Sequence, residues 1–89
     1  MPFIACTQHL REVGPSHLER FPGVTVREVL VAVGAQYPRL LGYILDDQGR
    51  VRQHVAIFVR GELHKRESVL DEAVAQDDEI YVLQALSGG

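Results

Sequence analysis

The chain ends Ala85-Leu86-Ser87-Gly88-Gly89, directly after a strand-like run. Two glycines carry no side chain, so residues 87–89 are expected to form a thin, flexible tail whose last carboxylate can thread a narrow channel. A carboxylate is a poor acyl donor and becomes a good one only when a partner activates it. Slender residues suit backbone capture of such an extended terminus, because a side chain at position 88 or 89 would crowd the carbonyl. Gly89 is therefore the first candidate for chemistry, as an activated acyl group. A frayed end is the ordinary alternative. Against it, the tail follows its last strand signal closely, and the chain keeps Met1 and shows no tag or histidine run.

Other reactive side chains are sparse. Cys6 is the single cysteine, which forbids an internal disulfide and a cysteine-ligated iron-sulfur cluster. With Phe3, Ile4 and Ala5 as neighbours it reads as a buried structural thiol. His9, His17, His54 and His64 form no close metal-ligand pair, so no metal is expected. Asp46-Asp47 and Asp77-Asp78-Glu79 sit in turn-like contexts and read as solvated turn formers rather than an acid/base pair. Asp77 to Glu79 can also present negative charge to a basic partner. Arg60, Lys65 and Arg66 make a small basic group near a hairpin, with solvation as the plain reading. No Ser-His-Asp pattern and no phosphate-cradling glycine loop is present.

Eighty-nine residues make one small domain, with 46% hydrophobic and 24% charged residues. That supports a modest core but not an elaborate enzyme cleft. The net charge of -3 argues against nucleic acid as a partner. No run approaches a membrane span and no signal peptide opens the chain, so no membrane is expected and cytoplasm is the default.

Several elements position the tail. Residues 3–6 read as a strand, with a pattern that allows continuation toward Leu10. Val13-Gly14-Pro15-Ser16 is a turn, and residues 17–21 suggest a second strand. After Val24, Thr25 and Glu28 have capping-box spacing, and Val26, Val29, Leu30, Val33 and Tyr37 form one apolar helical stripe. Pro38 should end that helix at Tyr37. Residues 39–45 are too apolar for a free linker and are expected to pack irregularly on the core. Asp46-Asp47-Gln48-Gly49 is a turn.

The best strand pattern covers residues 51–60, with Val55, Ile57 and Val59 on one face and Ala56 and Phe58 on the other. Gly61-Glu62 reads as a tight turn before a short return strand at Leu63-His64. Ser68 and Asp71 repeat the capping-box spacing. Asp77-Asp78 leads into a last strand over 79–86, with Ile80 and Val82 toward the core and Tyr81 and Leu83 away from it. One long helix can cover only one face of the sheet, which predicts a two-layer α+β domain over 1–86. The outer face would expose Phe58, Tyr81 and Leu83, a contact surface for a partner.

In this order of elements the sequence resembles the ThiS/MoaD family of sulfur carriers, β-grasp ubiquitin-like proteins. The resemblance spans nearly the whole chain. It rests on the helix ending in Tyr37-Pro38, on Val55-Ala56-Ile57-Phe58-Val59 before Arg60-Gly61-Glu62, on Asp77-Asp78-Glu79-Ile80-Tyr81-Val82, and on Gly88-Gly89. It implies a mixed sheet covered on one face by one main helix. It also implies that the chain is a carrier rather than an enzyme. No cofactor would be bound. An E1-like adenylating enzyme would use ATP to join the Gly89 carboxylate to AMP, and a sulfur donor would displace AMP to leave a thiocarboxylate. A sulfur-consuming synthase or large subunit would then receive the sulfur.

By the same resemblance Gly88, Ser87 and Leu86 would lie in the enzyme's channel, with Phe58, Tyr81 and Leu83 as the docking face. The long stretch over 41–53 looks more like the molybdopterin-synthase small subunit, or the carrier of a thiocarboxylate route to cysteine, than the compact thiamine-type carriers. Two other readings use the same fold: a protein modifier conjugated through Gly89, and a non-covalent β-grasp interaction module.

Overall fold

β1 (Phe3–Cys6) and β5 (Glu79–Gln84) run parallel in the middle of a five-stranded sheet in the computed structural model, which describes residues 1–84. β2 (Glu19–Arg20) flanks β1, and β3 (Val55–Val59) followed by β4 (Glu62–Leu63) lies on the other side, giving the order β2-β1-β5-β3-β4. Every pairing except β1 with β5 is antiparallel. The sheet is therefore mixed, as expected, and β5 has a neighbour on each side.

The main helix α1 (Val26–Gln36) forms where its signals predict. Thr25 has an extended backbone and its hydroxyl accepts the Glu28 N–H at 3.2 Å. Glu28 reaches one residue further back than a capping box requires, accepting from the Val24 N–H at 3.0 Å. Val26, Val29, Leu30 and Val33 are all buried. They meet Ile4, Ile57, Val59, Ile80 and Val82 from the inner sheet face in one core cluster. Alternation along β3 and β5 explains why every second residue of those strands joins it. The helix stops at Tyr37, whose hydroxyl donates to Glu19 Oε2 at 2.7 Å and ties the helix end to β2.

Several boundaries differ from the sequence reading. The continuation of β1 toward Leu10 is replaced by a 3₁₀ helix, Gln8–Glu12, and the second strand is only Glu19–Arg20. Residues 39–45 are not irregular: they contain α2 (Leu40–Ile44), with Leu40 and Ile44 buried one turn apart. The predicted strand over 51–60 is shortened to Val55–Val59, because Val51 pairs with Leu45 in an isolated bridge and the Val55 N–H turns back to the Arg52 carbonyl. Ser68 makes no side-chain cap, and the segment after it is the 3₁₀ turn Val69–Asp71.

The β3–β4 turn falls one residue earlier than expected, at Arg60-Gly61. Both residues have positive φ, 54° and 80°, the combination a two-residue hairpin with right-twisted strands requires. Arginine is an unusual occupant of the first position. Here its guanidinium bonds Glu72 at 2.8 Å and Asp78, which anchors the hairpin to the loop preceding β5.

Candidate functional site

The sequence-predicted site has two parts, a terminal acyl group and a sheet face. Leu86, Ser87, Gly88 and Gly89 lie outside the described residues. What the structure places is the strand that leads to them. Gln84 closes β5 opposite Val55, the first residue of β3, while Val82 pairs with Cys6, the last residue of β1. The last described residue thus ends a strand flanked on both sides, at the edge formed by the end of β1 and the start of β3.

The structure brings Phe58, Tyr81 and Leu83 together. Phe58 pairs with Tyr81, and Leu83 with Ala56 one step along. Residues directly opposite share a face, so these side chains form one cross-strand cluster away from α1. They are half-buried rather than exposed as expected. Their mutual packing accounts for this, together with the cover that the neighbouring strands give.

The same registers enlarge the cluster. Leu63 faces Phe58 and is 61% exposed. On the other side Ala5 pairs with Tyr81, and Phe3 with Glu79. The Arg20 guanidinium lies over the Phe3 ring, 4.1 Å from its centroid, an attraction between cation and ring face. Arg20 also bonds Asp77 at 3.2 Å and the Met1 carbonyl at 2.8 Å. The outer face is thus an apolar and aromatic strip, with Arg20 and Glu79 at the end away from Gln84. Leu63 and Phe3 were missed in the sequence. A two-residue turn at Arg60-Gly61 would have set 63 opposite 58 and revealed Leu63.

Beside Tyr81 a cleft of about 360 Å³ is lined by Ala5, Thr7, Arg11, Ser16, His17 and Leu18, among others. It continues the outer face past Tyr81 and gives that face relief. Thr7 Oγ1 is buried there without a hydrogen-bond partner among the described residues.

The remaining candidates are structural. Asp46 holds its turn by accepting the Gln48 and Arg50 N–H groups at 2.9 and 3.0 Å. Those bonds keep its carboxyl below the usual range. Asp77 and Asp78 are not simply solvated, since they pair with Arg20 and Arg60. Asp78 also accepts the Ala75 N–H at 2.7 Å, and that bond, ahead of Arg60, lowers its pKa. Arg60 and Arg66 do not act as one basic group: Arg60 faces Glu72 and Asp78, and Arg66 donates to the Val51 carbonyl. Among the described residues no group of three or more His, Cys, Asp or Glu is placed to hold a metal, and no helix is long and apolar enough to cross a membrane.

Cys6 is 1% exposed on the inner face, and burial pushes its thiol up to about 12. The thiolate is the reactive form, so the folded protein is expected to leave iodoacetamide unreacted at pH 8 over hours, with full alkylation once urea unfolds it. Rapid labelling of the native protein would show Cys6 to be open. The same shift has a stability consequence. The unfolded thiol ionises near 8.5 while the folded one stays protonated, so the stability held below that pH is lost as pH rises toward about 12.

The model of the ThiS family matches residues 7–89. No curated protein matches the chain. Among solved structures, SAMP1, the small archaeal modifier protein 1 of Haloferax volcanii, is similar with 26% identity and a TM-score of 0.80, over 99% of this chain and 98% of that one. Mycobacterium tuberculosis CysO has 21% identity and a TM-score of 0.83, over 97% of this chain and all of that one. A chain of the Amycolatopsis orientalis BexX/CysO complex has 18% identity and a TM-score of 0.85, each chain covered in full. At such identities the last two establish the fold alone, a β-grasp.

Proposed function

We propose, for a chain that belongs to the ThiS family and is a small carrier rather than an enzyme, that Gly89 is its working group and sulfur its cargo. The Gly89 carboxylate oxygen attacks the α-phosphate of ATP in the site of an adenylating partner, and pyrophosphate leaves. The carbonyl carbon of the resulting acyl adenylate is then electrophilic, because AMP is a good leaving group. A sulfur nucleophile adds to that carbon, AMP departs with the electron pair of the C–O bond, and a thiocarboxylate remains. A second partner takes the sulfur from it into a product of the molybdopterin, cysteine or thiamine type.

The observation that carries this reading is the family match, which runs through Gly88 and Gly89. The fold supports it. β5, which precedes the terminus in sequence, lies in the middle of the sheet, and the strip of Phe58, Tyr81 and Leu83 would give a partner a face to hold. Leu86, Ser87 and Gly88 would lie in the partner's channel. The carrier supplies no catalytic base; its contribution is position.

The test is intact-protein mass spectrometry after co-expression with an adenylating enzyme and a sulfide source. The expected mass gain is the difference between one sulfur and one oxygen, and it should vanish when Gly89 is removed. An unchanged mass with several adenylating enzymes would sink the reading. A second reading, a modifier conjugated to other proteins through the same Gly89 acyl group, is favoured by the 26% identity to a protein named as a small archaeal modifier. It predicts adducts on other proteins' lysines that depend on Gly89.

A further inference from the structure

Lysine is nearly missing from this chain: of nine Lys and Arg side chains eight are arginine, and Lys65 is the one lysine. The distinction matters for a protein whose own terminus becomes an acylating agent. A guanidinium keeps its proton and attacks nothing, whereas a lysine amine that has lost its proton attacks activated carbonyls. Among the described residues the ion pairs made by Lys or Arg all belong to arginines: Arg20 with Asp77, Arg27 with Asp71, Arg50 with Asp46, Arg60 with Glu72 and Asp78, and Arg66 with Glu67. Lys65 is exposed and makes no ion pair among the described residues.

Its position is also particular. β4 runs in the same direction as β5, since both are antiparallel to β3. The ladder continues past β4 with the His64 N–H donating to the Ile57 carbonyl at 3.2 Å. One more residue of that register sets Lys65 level with Ala56, the partner of Leu83. The chain turns there, the Lys65 carbonyl accepting the Ser68 and Val69 N–H groups at 3.1 and 2.9 Å. The lone, exposed lysine therefore follows edge strand β4 at the end of the sheet where β5 reaches Gln84.

We propose that Lys65 is the acceptor through which copies of this chain join one another, the Gly89 acyl group of one copy passing to the Lys65 amine of a second. The proposal rests on the reading that Gly89 is adenylated by an ATP-using partner. The neutral amine adds to the adenylate carbonyl, the C–N bond forms as the C–O bond to AMP breaks, AMP leaves with the electron pair, and the amine's proton passes to water. While the partner holds one copy by its sheet face, the lysine arriving from solvent is that of another copy. Each copy offers one terminus and one acceptor, so the product is linear with a single linkage. The sulfur donor and Lys65 compete for the same adenylate, which places chain growth under conditions of scarce sulfur.

The experiment incubates the purified full chain with an adenylating enzyme and Mg-ATP, with and without sulfide. Pyrophosphate exchange reports activation, and intact mass with peptide mapping reports adducts. Expected without sulfide are dimers and longer species, each link short of one water and mapped to Lys65. Sulfide should suppress them at least tenfold. Lys65→Arg should abolish them while keeping exchange. Normal exchange with no adduct, links at the Met1 amine, or a monomer short of one water would overturn the inference and leave the carrier reading intact. No exchange by the unmodified chain would overturn both.

Discussion

Phe58→Asp is expected to raise the carrier's KM in adenylate formation about 30-fold or more while leaving kcat nearly unchanged, the loss of roughly 2 kcal/mol typical of a central interface residue. Phe58 sits between Tyr81 on β5 and Leu63 on β4, in the middle of the strip that α1 leaves uncovered. A carboxylate there must be desolvated whenever a partner closes over the strip, and nothing cationic in the strip's centre offsets it. The cations near that face stand at its margins, Arg20 across β1 over Phe3 and Arg11 in the cleft beside Tyr81. Within the free carrier the change removes a cross-strand aromatic pair, which costs about 1 kcal/mol or less. The domain should stay folded, as a urea titration of the variant would show. Pyrophosphate exchange against carrier concentration separates KM from kcat. An unchanged KM would move docking off this face, and Leu63→Asp would then be equally silent.

The parts of the fold that were readable in the sequence are those written in local chemistry. α1 announces itself by Thr25 and Glu28, an apolar stripe and Pro38, and it forms as read. The facing of Ile80 and Val82 against Tyr81 and Leu83 follows from alternation alone. What failed depends on contacts distant in sequence. Val51 looks like a strand residue, but it is buried by pairing with Leu45 across the Asp46 turn, so the strand proper starts at Val55. α2 has five residues and only Leu40 and Ile44 to mark a period, too few turns for a helical pattern to show. Nothing local states that β1 lies parallel to β5, and that pairing puts the last described strand in the middle of the sheet. The carboxylates at 77 and 78 read as turn formers because their arginine partners, Arg20 and Arg60, are far away in the chain. For the candidate site, the shared face of Phe58, Tyr81 and Leu83 was visible as alternation. Leu63 was lost to a one-residue error in the hairpin.

Gly23→Ala should be among the most destabilising single-methyl changes in the domain, by about 3 kcal/mol, combining ~1–3 for a strained backbone with ~1–3 for forced repacking. Gly23 has φ of +150°, a conformation L side chains avoid. A Cβ there would stand 2.7 Å from the Val29 nitrogen and 2.8 Å from Val29 Cγ2. The nearest atom is helix backbone, so no side-chain rotation relieves the clash. The segment around it cannot drift either. The Phe21 N–H is bonded to the Pro2 carbonyl, the Val24 N–H to Glu28 and the Val24 carbonyl to the Val74 N–H. Strain at Gly23 must therefore push on the first turn of α1, where Val26 and Val29 fill the core. For a domain of this size the loss corresponds to a fall in Tm of roughly 12–24 °C. Gly61→Ala separates the two causes. Gly61 has φ of +80° with open space where the Cβ would go, so only the backbone term of about 1 kcal/mol applies. Scanning calorimetry of both variants decides the matter: equal losses would mean that the contact with Val29 yields easily, and a loss at least twice as large at Gly23 would show that the helix start is held against a backbone that cannot give way.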